Sequence, residues 1–211
     1  MSIKQLSMTG RKFATQLQYS TICALALMTV WPSRVVAQDN HLHNAPARQE
    51  LEADQQSETS TLIKIVREST YRFHDVAQAE REGYALQFGC VSGPDQGAMG
   101  LHFINGSLVE AGILDATRPQ IVIYEPMADG RLKLIGADYL VFAAAWDSDK
   151  AHTGPPQLMG QLFHYFEAPN RFGLPAFYSL HVWAWKDSPS GAFVNWHPNV
   201  SCKSFRGQTT P

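Results

Sequence analysis

Leu180-His181-Val182-Trp183-Ala184-Trp185 alternates a histidine and two tryptophans with three aliphatic or small residues. Side chains of a strand alternate between faces, so His181, Trp183 and Trp185 share one face while Leu180, Val182 and Ala184 share the other. Both faces are largely apolar, which predicts a strand covered on both sides. A histidine in that position needs a hydrogen-bond partner or a metal for its ring nitrogens.

The chain around this strand is punctuated like a β protein from Gly83 onward, with short β-branched and aromatic runs between glycine, proline, asparagine and aspartate clusters. Strands are predicted over 85–91, 99–105, 120–124, 131–142, 159–166, 178–185 and 192–196. The clearest hairpin joins 121–124 to 132–135 through Met127-Ala128-Asp129-Gly130, and a second is expected to turn at 187–191. Ahead of the strands, an amphipathic helix is predicted from Thr59 or Ser60 to Gly83, with Leu62, Val66, Phe73 and Val76 on its apolar face. The fold class is therefore α+β and mainly antiparallel. One N-terminal helix packs on a small β-barrel or β-sandwich of about seven strands.

Lys4, Arg11 and Lys12 precede an apolar run over 21–31, and Val35-Val36-Ala37 follows as a small-residue cleavage site. Residues 1–37 are expected to be a signal peptide, since the run is shorter than the roughly 20 residues of a membrane span. Cys23 lies inside it. The exported chain is then periplasmic or secreted, with no membrane span after signal removal. Residues 38–57 read as a flexible polar leader carrying His41 and His43, 58–205 as a single domain and 206–211 as a tail. In an oxidising compartment the two remaining cysteines, Cys90 and Cys202, predict a disulfide.

The formal net charge of −2, without a basic run interleaved with aromatics, gives no support to nucleic acid as a partner. No nucleophile elbow or phosphate-cradling glycine loop is present. The chemistry rests on His102, His181 and Glu125, with His164 as an alternative third ligand. Two imidazoles and a carboxylate suit a divalent iron, manganese, zinc or copper ion. No local spacing brings them together, and each has a structural alternative: His102, His181 and His164 as core histidines, Glu125 on loop amides or a cation. Phe103, Tyr124, Trp183 and Trp185 serve either as core or as the lining of an apolar ligand pocket.

Several stretches taken together resemble a family of uncharacterised exported bacterial proteins: Glu82-Gly83-Tyr84, Cys90-Val91, residues 98–103 (AMGLHF), Tyr124-Glu125-Pro126 with Asp129-Gly130, and residues 180–185 before Gly191-Ala192-Phe193. The resemblance spans roughly residues 60–203 and implies export and one domain, but no reaction. The leading functional expectation is a divalent-metal-binding protein acting as a small-molecule oxidoreductase on a small aromatic or apolar compound. A non-catalytic binding protein with an apolar cavity and a structural envelope domain are the alternatives. The sequence does not determine the oligomeric state.

Overall fold

Ala, Gln, Glu, Arg and Leu dominate residues 45–57, and these strong helix formers extend helix α1 over Ala45–Thr70. The computed structural model describes residues 45–211, with side chains from Arg48 onward; the expected signal peptide, His41 and His43 lie outside the described residues. Helix α1 thus starts well before Thr59 and takes in most of the stretch expected to be a flexible leader. An Arg48–Glu52 pair at 3.1 Å supports its exposed first turns. The helical region is not continuous to Gly83. A 3₁₀ turn over Tyr71–His74 intervenes, and Asp75 caps α2 (Val76–Arg81) by accepting from the Ala77 amide at 3.1 Å.

Seven strands form one curled mixed sheet, a half-barrel, where a closed barrel or a sandwich was expected. They are β1 (Tyr84–Ser92), β2 (Ala98–Asn105), β3 (Ile121–Pro126), β4 (Leu132–Phe142), β7 (His164–Phe166), β8 (Phe177–Val182) and β9 (Thr209–Thr210). Their order is β7-β8-β4-β3-β2-β1-β9, antiparallel throughout except where β9 lies parallel to β1. Short helices α3 (Gly106–Ala111) and α4 (Ala143–Ser148) follow β2 and β4, and β5 (Gln157–Leu158) and β6 (Gln161–Leu162) form a separate ribbon.

Three strand expectations need correction. The run 159–166 is not one strand: the left-handed residues Met159 and Gly160 turn β5 into β6, and Phe163, whose amide donates to the Pro156 carbonyl, separates β6 from β7. Residues 192–196 form turns rather than a strand, because the backbone leaves the sheet after Val182, where Trp183 donates to Ala192 instead. The seventh strand is β9, inside the segment read as a tail.

The sheet is apolar on both faces, as 180–185 predicted. Leu180, Val182 and Ala184 are fully buried in one cluster with Ala137, Tyr139, Phe163 and the helical residues Leu62 and Val66. Arg67 donates to the Ala184 carbonyl, and the Trp185 indole donates to Thr70 Oγ1 at 3.0 Å. Phe73 packs with Tyr84 at 5.1 Å between ring centroids, and the Tyr124 hydroxyl donates to the Phe73 carbonyl at 2.7 Å. Because Phe73 is only 1% exposed, Phe73→Ala is expected to destabilise the protein by about 3–5 kcal/mol. Denaturant unfolding checks this; a loss under about 1 kcal/mol would mean that the helical region contributes little to the core.

Cys90 and Cys202 form a disulfide with their Cα atoms 5.7 Å apart, as the cysteine count predicted. It ties β1 to the segment that leads into β9.

Candidate metal centre

Cross-strand partners in an antiparallel sheet project to the same face. His102 on β2 pairs with Ile123, Ile123 with Gly136, Ile121 with Asp138, and Asp138 on β4 with His181 on β8. His102, Asp138 and His181 therefore share the face opposite Leu180 and Val182. In a flat sheet, β2 and β8 would lie about 14 Å apart, three strand spacings. The curl of the sheet closes that gap, and His102 Nε2 lies 3.4 Å from His181 Nε2.

Asp138 Oδ2 stands 3.6 Å from His181 Nε2, and its Oδ1 accepts from the Ser179 hydroxyl at 2.7 Å. The ligand atoms of His102, Asp138 and His181 all lie within 4.8 Å of one another, and all three residues are buried. A divalent ion bound at about 2.0–2.2 Å requires ligand atoms roughly 2.9–3.4 Å apart for octahedral or tetrahedral edges. Two contacts in the group are near that spacing, so a small adjustment of the third lets the group hold a metal ion.

The electrostatics fit a cation. Burial drives the His102 pKa down to about 4, with the neighbouring His181 acting in the same direction and Asp138 opposing it. Burial likewise takes His181 down to about 3, assisted by the charge of His164. Both rings are thus neutral ligands at neutral pH. Burial raises Asp138 to about 6, against the pull of His102 and the Ser179 hydrogen bond. A buried carboxylate without a formal cation beside it is costly, and a divalent ion relieves that cost.

Each ring also has a second nitrogen. Among the described residues, the Nδ1 atoms of His102 and His181 are buried without a hydrogen-bond partner, and so is the Oδ1 of Asn195. The Asn195 side chain interacts with His181 and favours its protonated form. An acceptor for the second ring nitrogen is the kind of outer contact that orients a metal-binding imidazole, and Asn195 is the side chain that bears on His181.

A cavity of about 20 Å³ opens beside the three residues, lined otherwise by Ser179 and by apolar residues including Phe88, Met99, Phe166, Phe172 and Phe177. Phe88 reaches it through a bulge in β1: register shifts between Gln87 and Cys90, and Phe88 and Gly89 both take positive φ, 63° and 66°. A Cβ on Gly89 would lie 1.9 Å from the Gln208 carbonyl oxygen, so β9 can pair there only against glycine.

The other expected site residues fall elsewhere. Glu125 is paired with Lys186 at 2.6 Å and accepts from the Ser201 amide at 3.3 Å, so its carboxylate anchors the loop after β8 and stands outside the group. His164 lies opposite Ser179 on β7, on the same face as the group, but is exposed at the outer strand. Phe103 and Tyr124 pack on each other at 5.0 Å in the main core. The Trp183 indole donates to the Val194 carbonyl at 2.6 Å, while Trp185 packs edge-on to His74 at 4.4 Å. None of these four aromatic residues lines the cavity.

Asp138 escaped the sequence reading. Its signal was a lone acid within β4, a strand buried over most of its length; an unpaired carboxylate there demands a partner.

No protein-family model, no curated protein and no solved structure matches this chain.

Proposed function

We propose that the protein is an exported metalloprotein in which His102, His181 and Asp138 hold one divalent ion of the first transition row, and that this centre serves a small-molecule oxidoreductase. The observation that carries the reading is the convergence of two neutral imidazoles and one carboxylate, all buried, from three strands of the sheet. Two histidines and one carboxylate with open coordination positions suit iron(II), and the same donors accept manganese, zinc or copper. Such an ion supplies Lewis acidity or electron transfer when bound. The chain's own part is to keep both rings neutral, to hold Asp138 in place through Ser179 and to wall the centre off from water with phenylalanines.

Helix α1, docked through Leu62 and Val66, would hold the opposite face of the sheet and so maintain the curl that brings β2 and β8 together. The reading as an organic-ligand carrier is disfavoured by size, since about 20 Å³ is far below the roughly 300–1,000 Å³ of small-molecule pockets.

The test is reconstitution of protein purified without a histidine tag, with iron(II), manganese(II), zinc(II) and copper(II) in turn, followed by removal of loose metal and elemental analysis. One ion per chain is expected in the wild type, with occupancy falling by about tenfold or more in His102→Ala and His181→Ala. Substoichiometric binding of every metal by the wild type would reject the proposal.

The pH dependence of binding is a sharper check. The folded pKa of Asp138 is raised to about 6, so its proton competes with the metal below that value. The imidazoles, held at about 4 and 3, are already deprotonated there. Affinity measured against a competing chelator should therefore be flat above about pH 7 and fall about tenfold per unit from pH 6 toward 4, with one proton released. A slope corresponding to two or three protons between pH 5 and 6 would mean that the histidines titrate normally and are not held in this environment.

A further inference from the structure

We propose that the exogenous ligand of this centre is a neutral diatomic molecule of dioxygen size, and that Phe172 excludes anything as large as a ring; the inference rests on the metal-binding reading above. The cavity's volume of about 20 Å³ matches one water-sized occupant. Its polar lining consists of His102, Asp138, Ser179 and His181. Three of these are spent on the metal, and Ser179 is already bonded to Asp138 at 2.7 Å. Nothing remains to recognise the polar groups of an organic substrate, so recognition comes down to size and to the metal itself.

The wall on the solvent side is apolar. Phe172 and Leu174, both half-buried, come from the loop between β7 and β8, and Phe172 packs against Phe88 at 5.3 Å and Phe177 at 6.1 Å. Asn170 folds this loop: its Oδ1 accepts from the Phe172 and Leu174 amides, each at 3.2 Å, and its Nδ2 donates to the Leu174 carbonyl at 2.9 Å. A neutral diatomic molecule carries little hydration to lose on passing these rings, whereas an anion gives up a strong hydration shell that only the residual charge of the metal offsets. A divalent ion held by Asp138 and two neutral rings keeps one positive charge. That charge favours a bound ligand onto which electron density can move.

The experiment uses the full chain loaded with iron(II), its occupancy first established by elemental analysis. Nitric oxide serves as the diatomic probe, with azide and imidazole as the anionic and ring-sized comparators, read by paramagnetic resonance and visible absorption. The wild type should form an iron-nitrosyl signal at stoichiometric intensity and show no spectral change with imidazole or azide. Phe172→Ala should gain an imidazole-induced shift, since deleting a ring from an apolar wall leaves room for another ring. Phe172→Leu, which keeps the wall closed with less risk to folding, should still exclude imidazole. Loaded protein that forms no nitrosyl, or wild type that takes up imidazole or azide as readily as nitric oxide, would overturn the proposal while leaving metal binding intact. Failure to load iron(II) would overturn this proposal, and failure to load any of the four metals would overturn both readings.

Discussion

Asp138→Asn is expected to abolish tight metal binding while leaving the metal-free protein as stable as the wild type or more so. Asp138 is 2% exposed, and its carboxylate accepts from the Ser179 hydroxyl, with the Tyr139 and Leu180 backbone also favouring its ionised form. At neutral pH the metal-free fold therefore keeps a carboxylate away from water beside two uncharged rings. Its folded pKa is raised to about 6 from 3.8, so its contribution to the stability of the metal-free fold is fully present below the unfolded value and is lost as pH rises through about 6. Asparagine keeps the shape and an acceptor for Ser179 but removes the charge, and replacing buried charge by a neutral group is often neutral or stabilising. Removal of a ligand from a three-residue centre should lower affinity by at least about 100-fold, more than the 10–100-fold seen when only an outer contact is lost. Chelator competition gives the affinity and urea unfolding of the metal-free protein gives the stability. A variant that binds metal normally, or one that unfolds well below the wild type without metal, would show that Asp138 is there for the fold.

Loss of the Cys90–Cys202 bridge should have a comparably large effect on the fold itself. The bridge spans 112 residues, and constraining so long a loop in the unfolded chain stabilises by about 4–5 kcal/mol in the chain-entropy model. That is a large part of the roughly 5–15 kcal/mol typical of a domain. Local structure adds to it. Cys90 donates to the Gln208 carbonyl and pairs with Thr209, so an untethered C-terminal segment would release β9 from β1 next to the bulge that carries Phe88 to the cavity. The double variant Cys90→Ala/Cys202→Ala should unfold at much lower denaturant than the wild type. A difference below about 1 kcal/mol would indicate that native strain cancels the entropic gain.

Residues 180–185 were legible in the sequence because alternation along one strand is a local property: two apolar faces predict two covered faces, and His181 is indeed buried. The 121–126/132–142 hairpin was legible for the same reason, since its turn residues and flanking β-branched runs are contiguous. The meeting of His102 with His181 depends on strand order and on the curl of the sheet, neither of which any sequence spacing encodes. Glu125 drew attention as the acid beside a strand end, yet an end position lets it reach Lys186. Asp138 sits mid-strand, where its direction is set by register with Ile121 and His181. The start of the helix is not legible in the same way, because residues 48–58 are exposed throughout; without apolar periodicity, only propensity marks them as helix.

The most direct measurement is a crystal structure of the metal-loaded, tag-free protein with anomalous diffraction collected at the absorption edge of the loaded metal. One anomalous peak per chain is expected, about 2.0–2.2 Å from His102 Nε2, His181 Nε2 and an Asp138 carboxylate oxygen, with Glu125 still on Lys186. A peak elsewhere in the chain, or two histidine rings still facing each other with no ion between them after reconstitution, would contradict it.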